Sequence, residues 1–342
     1  MQPPLFIINP RCGTRKAGDE IARLLARVDH LYGEVTVRYT ERRGHAEELA
    51  RAAVGDGHPL IVAVGGDGTF SEVANGVLGA EDEMGSRAAG DRSPVATAAG
   101  GTPAPSGAPG GAPGAPAVGL VSIGTGGDFR RSLGIGAGIE ASLEVLAAGA
   151  DRYVDVIKAE FRGNDGATVR RYVVNVLSAG LGGLVDRYIE ATPSFVPGRA
   201  GYYAAAMRAA AVSRQQPVRA RVTWQEEIRE ETLPAYLLAI CNGRWFGGGM
   251  DVAPMALADD GRLEVVTVAA PTKPYLLRHI KSVYEGRHLD LPSVSHFPCE
   301  RIELGLEDPE AETRFLLDVD GDALGSLPLS LGVEPRRLLV RT

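Results

Sequence analysis

The chain has 342 residues, 44% of them hydrophobic and 23% charged, and a net charge of −7. This balance predicts a globular protein of two domains rather than a disordered chain. The acidic surplus argues against a nucleic-acid partner, and no apolar run is long enough to be a transmembrane segment.

The first residues, "MQPPLFIINP", run directly into an expected strand, with no signal-peptide pattern before it. Cys12, Cys241 and Cys299 are too few and too scattered for a disulfide framework or a zinc site, so a reduced, cytoplasmic protein is expected. Leu5 to Ile8 is an apolar run closed by the turn signal Asn9-Pro10. Ile21, Leu24, Leu25 and Val28 then recur at helical spacing. Val35 to Tyr39 alternates like a strand, and "HAEELARAAV" follows as a helix. Leu60 to Val64 is a second buried run, and Phe70, Val73, Ala74 and Val77 mark another helix. This alternation predicts a parallel sheet with helices on both faces, an α/β domain over residues 1–150.

Within that domain the composition breaks over about residues 81–116. From Pro94 to Pro116 the chain is almost entirely Pro, Gly and Ala, with little to bury. Such a segment reads as a mobile insert, either a tolerated surface insertion or a tether. Order resumes at "AVGLVSIGTGGDFRRSLGI", a strand, a glycine turn, an aspartate and a helix. From residue 151 to 342 the texture changes to Val-, Tyr- and Thr-rich runs separated by turns. Two helical stretches interrupt them, Arg199 to Arg214 and Pro274 to Glu285. A mostly antiparallel, β-sandwich-like second domain is expected.

The most informative stretch is "VAVGGDGTFSEVANGVL", where a buried strand passes through Gly65, Gly66, Asp67, Gly68 and Thr69 into a helix. Glycines there let the backbone approach a ligand, and the exposed N–H groups of the helix start form an anion site. In an open α/β sheet, ligands sit beyond the carboxyl ends of the strands, where this turn falls. A second glycine turn at 124–127 repeats the design. The pair points to phosphate binding. Neither turn fits the Walker or the dinucleotide pattern. Asp67 beside bound phosphates calls for an intervening Mg²⁺.

Six segments, "IINPRCGTRKA", "TERRGHAEELA", "VAVGGDGTFSEVANGVL", "GTGGDFRRSLG", "FGGGMDVAPMALADDGRLEV" and "DVDGDALG", occur in the order seen in one family. In them the chain resembles the diacylglycerol kinase catalytic-domain superfamily, which includes bacterial diacylglycerol kinases, YegS-like lipid kinases and sphingosine kinases. "NPRCG" and "TERRGHA" look most like the sphingosine kinase branch. The resemblance spans nearly the whole chain apart from the insert. It implies ATP and a lipid alcohol in an interdomain cleft, with Asn9, Thr40, Gly65, Gly66, Asp67, Gly68, Thr69, Glu72, Gly124 and Thr125 at the nucleotide. It implies that Asp67 and Asp128 act through Mg²⁺, and that Asp260 binds a structural metal with the main-chain oxygens of Leu257 and Arg262. Asp320 and Asp322 match the family's Asp-Gly-Glu, whose last acid is the candidate general base. Asp186 faces an acceptor amine or caps a local turn.

The chain departs from the pattern at Gly127, where the family has Asn, at Ser122, where it has Pro, and at Asp322, where it has Glu. The helix "PYLLRHIKSVYEGRH" reads as a membrane-surface helix or as a core-packed helix with a solvated basic face. Six histidines show no metal spacing. Cys12, in the phosphate-facing turn, reads as a space-filler. The expected activity is ATP- and Mg²⁺-dependent phosphorylation of a diacylglycerol- or sphingoid-type lipid, by a protein that contacts membranes transiently. A homodimer is left open. The alternatives are a NAD-kinase-like phosphotransferase and a nucleotide-binding regulatory module that has lost transfer.

Overall fold

The computed structural model describes residues 2–12, 17–90, 114–123, 127–190, 198–312 and 315–342. The first half alternates β1 (Leu5–Ile8), α1 (Ala17–Tyr32), β2 (Thr36–Tyr39), α2 (His45–Asp56), β3 (Leu60–Gly65), α3 (Asp67–Gly90) and β4 (Ala117–Ser122). The short α4 (Asp128–Ser132) and α5 (Gly138–Ala148) complete it. β1 lies between β2 and β3, all parallel, and β4 pairs parallel to β3. Every residue of β1, β3 and β4 is buried, as strands covered on both faces must be. Side chains alternate across the sheet. Ile7, Ile61 and Val118 pack with α2 and α3, whereas Phe6, Val62 and Val64 pack with α1 and α5.

Strand order fixes where a ligand can sit. The chain leaves β1 for β2 on one side and returns to β3 on the other, so a crevice opens at the carboxyl ends of β1 and β3. Asn9 follows β1, and Gly65 to Thr69 follow β3.

The second half is mostly antiparallel, as the sequence pattern leads one to expect. It contains β5 (Asp151–Gly163), β6 (Thr168–Val173), β7 (Val176–Gly180), α6 (Leu181–Glu190) and α7 (Gly198–Val212). β8 (Gln216–Trp224), β9 (Glu227–Ala235), β10 (Leu237–Cys241), β11 (Trp245–Phe246) and β12 (Met250–Asp251) follow. The chain ends with β13 (Leu263–Val268), α8 (Lys273–His279), β14 (Val294–Cys299), β15 (Arg301–Gly305), α9 (Pro309–Glu312), β16 (Leu316–Val319) and the long β17 (Asp322–Arg341). One apolar core gathers Ile157, Phe161, Val218, Ile240, Ile302, Leu317 and Leu329 from strands on its two sides. β17 starts beside β16, runs along β15 and β5, and ends parallel to β4 at Val340 and Val118. The last strand thus stitches the second half onto the first sheet.

Three expectations need correction. The insert does not begin at residue 81, because α3 continues to Gly90. Glu81 and Asp82 meet the guanidinium of Arg337 on β17, and Glu83 meets Arg51 on α2, so charge pairing anchors these turns. The Pro/Gly/Ala-rich core of the insert, 91–113, lies outside the described residues. The helical stretch at Pro274 to Glu285 divides into α8 and a 3₁₀ turn, Ile280–Glu285. Finally, α6 was not anticipated, because Gly182 and Gly183 disguise it. Both glycines are required by packing: a Cβ at 182 would lie 1.9 Å from Ser178 Oγ, and one at 183 would lie 2.7 Å from the Leu316 backbone.

Candidate active site

Two cavities open where the halves meet. The first, about 460 Å³, is lined by Asn9, Thr40, Gly66, Gly68, Thr69 and Glu72, together with Arg11, Arg43 and Asp322. It occupies the crevice between β1 and β3. Asn9 is fixed from both ends, its N–H donating to Val64 O at 2.9 Å and its Nδ2 to Thr69 Oγ1 at 3.3 Å. Thr40 N donates to Ile8 O at 2.9 Å, which brings the segment after β2 alongside. Gly65 closes the strand tightly, since a Cβ there would meet Thr69 Oγ1 at 2.5 Å. Glu72 acts on the protein itself. Its carboxylate accepts from Gly44 N (2.9 Å) and Ala46 N (3.1 Å), capping α2 and holding the "TERRGHA" turn against α3. Gly124 and Thr125 lie outside the described residues.

Asp67 opens α3, and its Oδ2 accepts from Gly127 N at 2.9 Å and Asp128 N at 2.8 Å. One carboxylate therefore joins the two glycine turns, which lie about sixty residues apart in the chain. Its Oδ1 is buried with no hydrogen-bond partner. Asp128, almost fully buried, is pushed up to about 6 by burial and then by the charge of Asp67. Its Oδ2 accepts from Gly248 N at 2.8 Å, in the "FGGGMD" turn, whose three glycines all have positive φ. Two carboxylates whose charges oppose each other, one with an unsatisfied oxygen, form an oxygen donor set suited to a hard divalent cation. The residues here fit Mg²⁺.

The second cavity, about 710 Å³, is bounded by Asp67, Asp128, Asp186, Asp318, Asp320 and Asp322 and by apolar walls that include Ile189, Phe246 and Tyr284. Gly68 and Asp322 line both cavities. Asp320 is wholly engaged. Oδ1 accepts from Asn175 N (3.0 Å) and Val176 N (3.2 Å), and Oδ2 from Ser71 Oγ (2.9 Å) and Val174 N (3.0 Å). Burial nevertheless pushes its carboxyl up to about 6. Its backbone is left-handed (φ 53°), and Gly321 follows at φ 92°, a turn that aims Asp322 into the junction of the cavities. Asp322 is half-buried and ion-paired with Arg43.

Asp186 lies on α6 and hydrogen-bonds to Asp318 on β16, so the two carboxyls share a proton. Burial, then the charge of Asp186, raises the Asp318 carboxyl well above its ordinary value. Asp318 also accepts from Gly321 N at 2.7 Å and Ser178 Oγ at 3.3 Å.

Asp260 stands apart from both cavities. Its Oδ2 is 2.9 Å from Arg262 Nε. Sequence reasoning did not single out Arg43, Asp318, Ser71 or Gly248 as site residues. All four lie inside the quoted segments, Asp318 two residues before Asp320 in "DVDGDALG" and Gly248 in a triple-glycine turn.

Amide-rich turns at the carboxyl ends of parallel strands thus face an aspartate-lined cavity at the junction with the second, β-rich half. Comparison with known proteins identifies the family. Residues 3–159 match the diacylglycerol kinase catalytic domain, and residues 175–342 match the YegS C-terminal NAD kinase beta sandwich-like domain. The chain is 27% identical to a YegS-like lipid kinase of Chromohalobacter salexigens over 308 residues, covering 89% of this chain and 82% of that one. It is 24% identical to a diacylglycerol kinase of Staphylococcus haemolyticus, covering 94% and 83%. The fold is shared with the crystal structure of a Bacillus anthracis diacylglycerol kinase, with a TM-score of 0.64 at 17% identity, covering 99% of this chain and 96% of that one. The chain belongs to the diacylglycerol kinase catalytic-domain superfamily.

Proposed function

We propose that this protein transfers the γ-phosphoryl group of ATP, with Mg²⁺, to a hydroxyl of a diacylglycerol- or sphingoid-type lipid. The observation that carries this reading is the position of Asp322, which among the described residues is the one carboxylate lining both the nucleotide-side cavity and the acidic cavity. A general base must reach the acceptor hydroxyl beside the transferring phosphorus. Asp320 is unsuited to that role because four donors saturate its oxygens.

In this scheme the amides of the Gly66 to Thr69 turn and Asn9 hold the phosphates. Asp67 and Asp128 hold Mg²⁺, which neutralises phosphate charge when bound. Asp322 takes the hydroxyl proton as the new O–P bond forms, and the bond to the β-phosphate oxygen breaks, releasing ADP. Positioning and electrostatics supply most of the acceleration in such transfers.

A lipid acceptor is supported by the cavity's apolar walls. At Phe246 the cavity adjoins a narrow apolar space of about 70 Å³, lined by Leu181, Val185, Ala206, Leu276 and Ile280. Contact with a membrane surface is supported by α7 rather than by α8. Leu276 and its apolar neighbours on α8 pack into a core with α6 and α7. On α7, by contrast, Tyr203, Ala204, Ala211 and Val212 are exposed on one face with Arg208, and the helix carries no acidic residue. Among the described residues no helix is long and apolar enough to cross a membrane.

The test is transfer of radiolabelled phosphate from ATP to a panel of diacylglycerol, sphingosine, ceramide and NAD⁺. Lipid-dependent ADP release with a labelled lipid product is expected. Labelling of NAD⁺ alone, or nucleotide binding with no lipid-dependent turnover, would overturn the reading.

A further inference from the structure

The contact between Arg43 and Asp322 crosses the cleft between the two halves. Both of its ends are rooted in rigid scaffold. Arg43 sits in the turn that Glu72 clamps through Gly44 N and Ala46 N. Its neighbour Arg42 turns away to Glu48, reaching both carboxylate oxygens at 2.8 and 2.7 Å. Asp322 follows the Asp320–Gly321 turn, which is locked by the four donors on Asp320 and by Gly321 N on Asp318.

An aspartate base swings freely about two side-chain torsions unless something holds it, and small misplacements at a reacting centre cost large factors in rate. A guanidinium presents its donors in a fixed fork, which suits it to fixing the rotamer of a carboxylate.

We propose that Arg43 is a positioning residue for Asp322. It engages one carboxylate oxygen from the nucleotide side, so that the other takes the proton of the acceptor hydroxyl. The proposal rests on the reading of Asp322 as the base. It makes the geometry of the base depend on the same turn that borders the nucleotide.

Steady-state kinetics of Arg43→Gln, Arg43→Lys, Asp322→Asn and the double variant Arg43→Gln/Asp322→Asn test it. Arg43→Gln should lower kcat by about 10- to 100-fold, with KM for ATP and lipid within about twofold. Its thermal midpoint should be unchanged, because an exposed ion pair contributes little stability. Arg43→Lys should recover part of the loss. The double variant should be no slower than Asp322→Asn, because a residue that acts through the base has nothing left to position. Full turnover in Arg43→Gln beside an inactive Asp322→Asn overturns the proposal and leaves the base assignment standing. A raised KM for ATP with normal kcat, or a double variant slower than Asp322→Asn by the full single-variant factor, overturns it as well. A fully active Asp322→Asn overturns the base assignment, and the proposal with it.

Discussion

The two cavities share Asp322 but are made of different material. The nucleotide-side cavity is lined chiefly by the segments that follow β1, β2, β3 and β4 of one parallel sheet, with Arg11, Arg42 and Arg43 beside the glycines and hydroxyls of the turns. The acidic cavity is made of carboxylates from α3, α4, α6, β16 and the turn before β17, brought together from distant parts of the chain. In the first, the protein supplies backbone donors and guanidinium groups. In the second, it concentrates negative charge and spends most of it internally, on Gly127 and Asp128 amides, on the strand amides at 174–176, and on the shared proton of Asp186 and Asp318. Asp322 stands outside that internal pairing, and its partner is Arg43 across the cleft.

The largest expected effect separates the cavities at the residue they share. Asp322→Asn should lower kcat by about 10²–10⁴-fold, the usual contribution of a general base, while equilibrium nucleotide affinity is retained. Asp322→Glu should remain active. Loss of nucleotide affinity in parallel with kcat would show that the cavities are not separable there.

Asp67→Asn should reduce turnover by about 10²-fold and weaken the dependence on added Mg²⁺. The fold should survive, because the amide oxygen still accepts from the 127–128 turn. Near-normal turnover would remove Asp67 from the metal-binding pair.

Asp320→Asn sharpens the contrast with Asp322, because its main effect should be on stability. An amide NH₂ would face donors that now meet a carboxylate oxygen, at a cost of about 1–3 kcal/mol, seen as a thermal midpoint several degrees lower. A variant as stable as the parent but catalytically dead would exchange the roles of the two acids.

Asp318 tests the internal pairing by pH. Its folded pKa is raised above the unfolded value, about 3.9, so the native state binds the extra proton. The stabilisation is full below the unfolded value and is lost as pH rises through the folded one. Asp318→Asn keeps a hydrogen bond to Asp186 without titrating. It should flatten the decline of thermal midpoint with rising pH, and an unchanged slope would refute the shared proton.

The smallest effect lies outside both cavities. Val212→Glu on the exposed face of α7 should weaken binding to anionic vesicles by about 3- to 10-fold. Turnover on a dispersed short-chain lipid should be unaffected. Unaltered vesicle binding would move the membrane contact elsewhere.

Much of the molecule was legible before its structure. Continuous apolar runs at Leu5–Ile8 and Leu60–Val64, the second followed by glycines and helical periodicity, specify a buried parallel sheet with a phosphate-type turn. Each of those signals is contained within a few consecutive residues. The order of short motifs likewise pointed to the family and to the acids at 67, 128, 320 and 322. What stayed hidden were relations between segments. Gly182 and Gly183 read as a turn but lie in a helix, because close approach to Ser178 and Leu316 demands residues without side chains. Asp320 and Asp322 are two residues apart and chemically identical. Only the strand amides at 174–176 and Ser71, folded onto the first, leave the second as the candidate base. Glu72 lines the nucleotide-side cavity, but that its carboxylate also holds the amides of Gly44 and Ala46 is visible only in the fold. Local pattern determines which elements form and where a turn exposes its N–H groups, because those depend on neighbours in sequence. Whether a given carboxylate is a cap, a proton-sharing partner or a base depends on which distant donors fold around it, and that was decided by the tertiary structure alone.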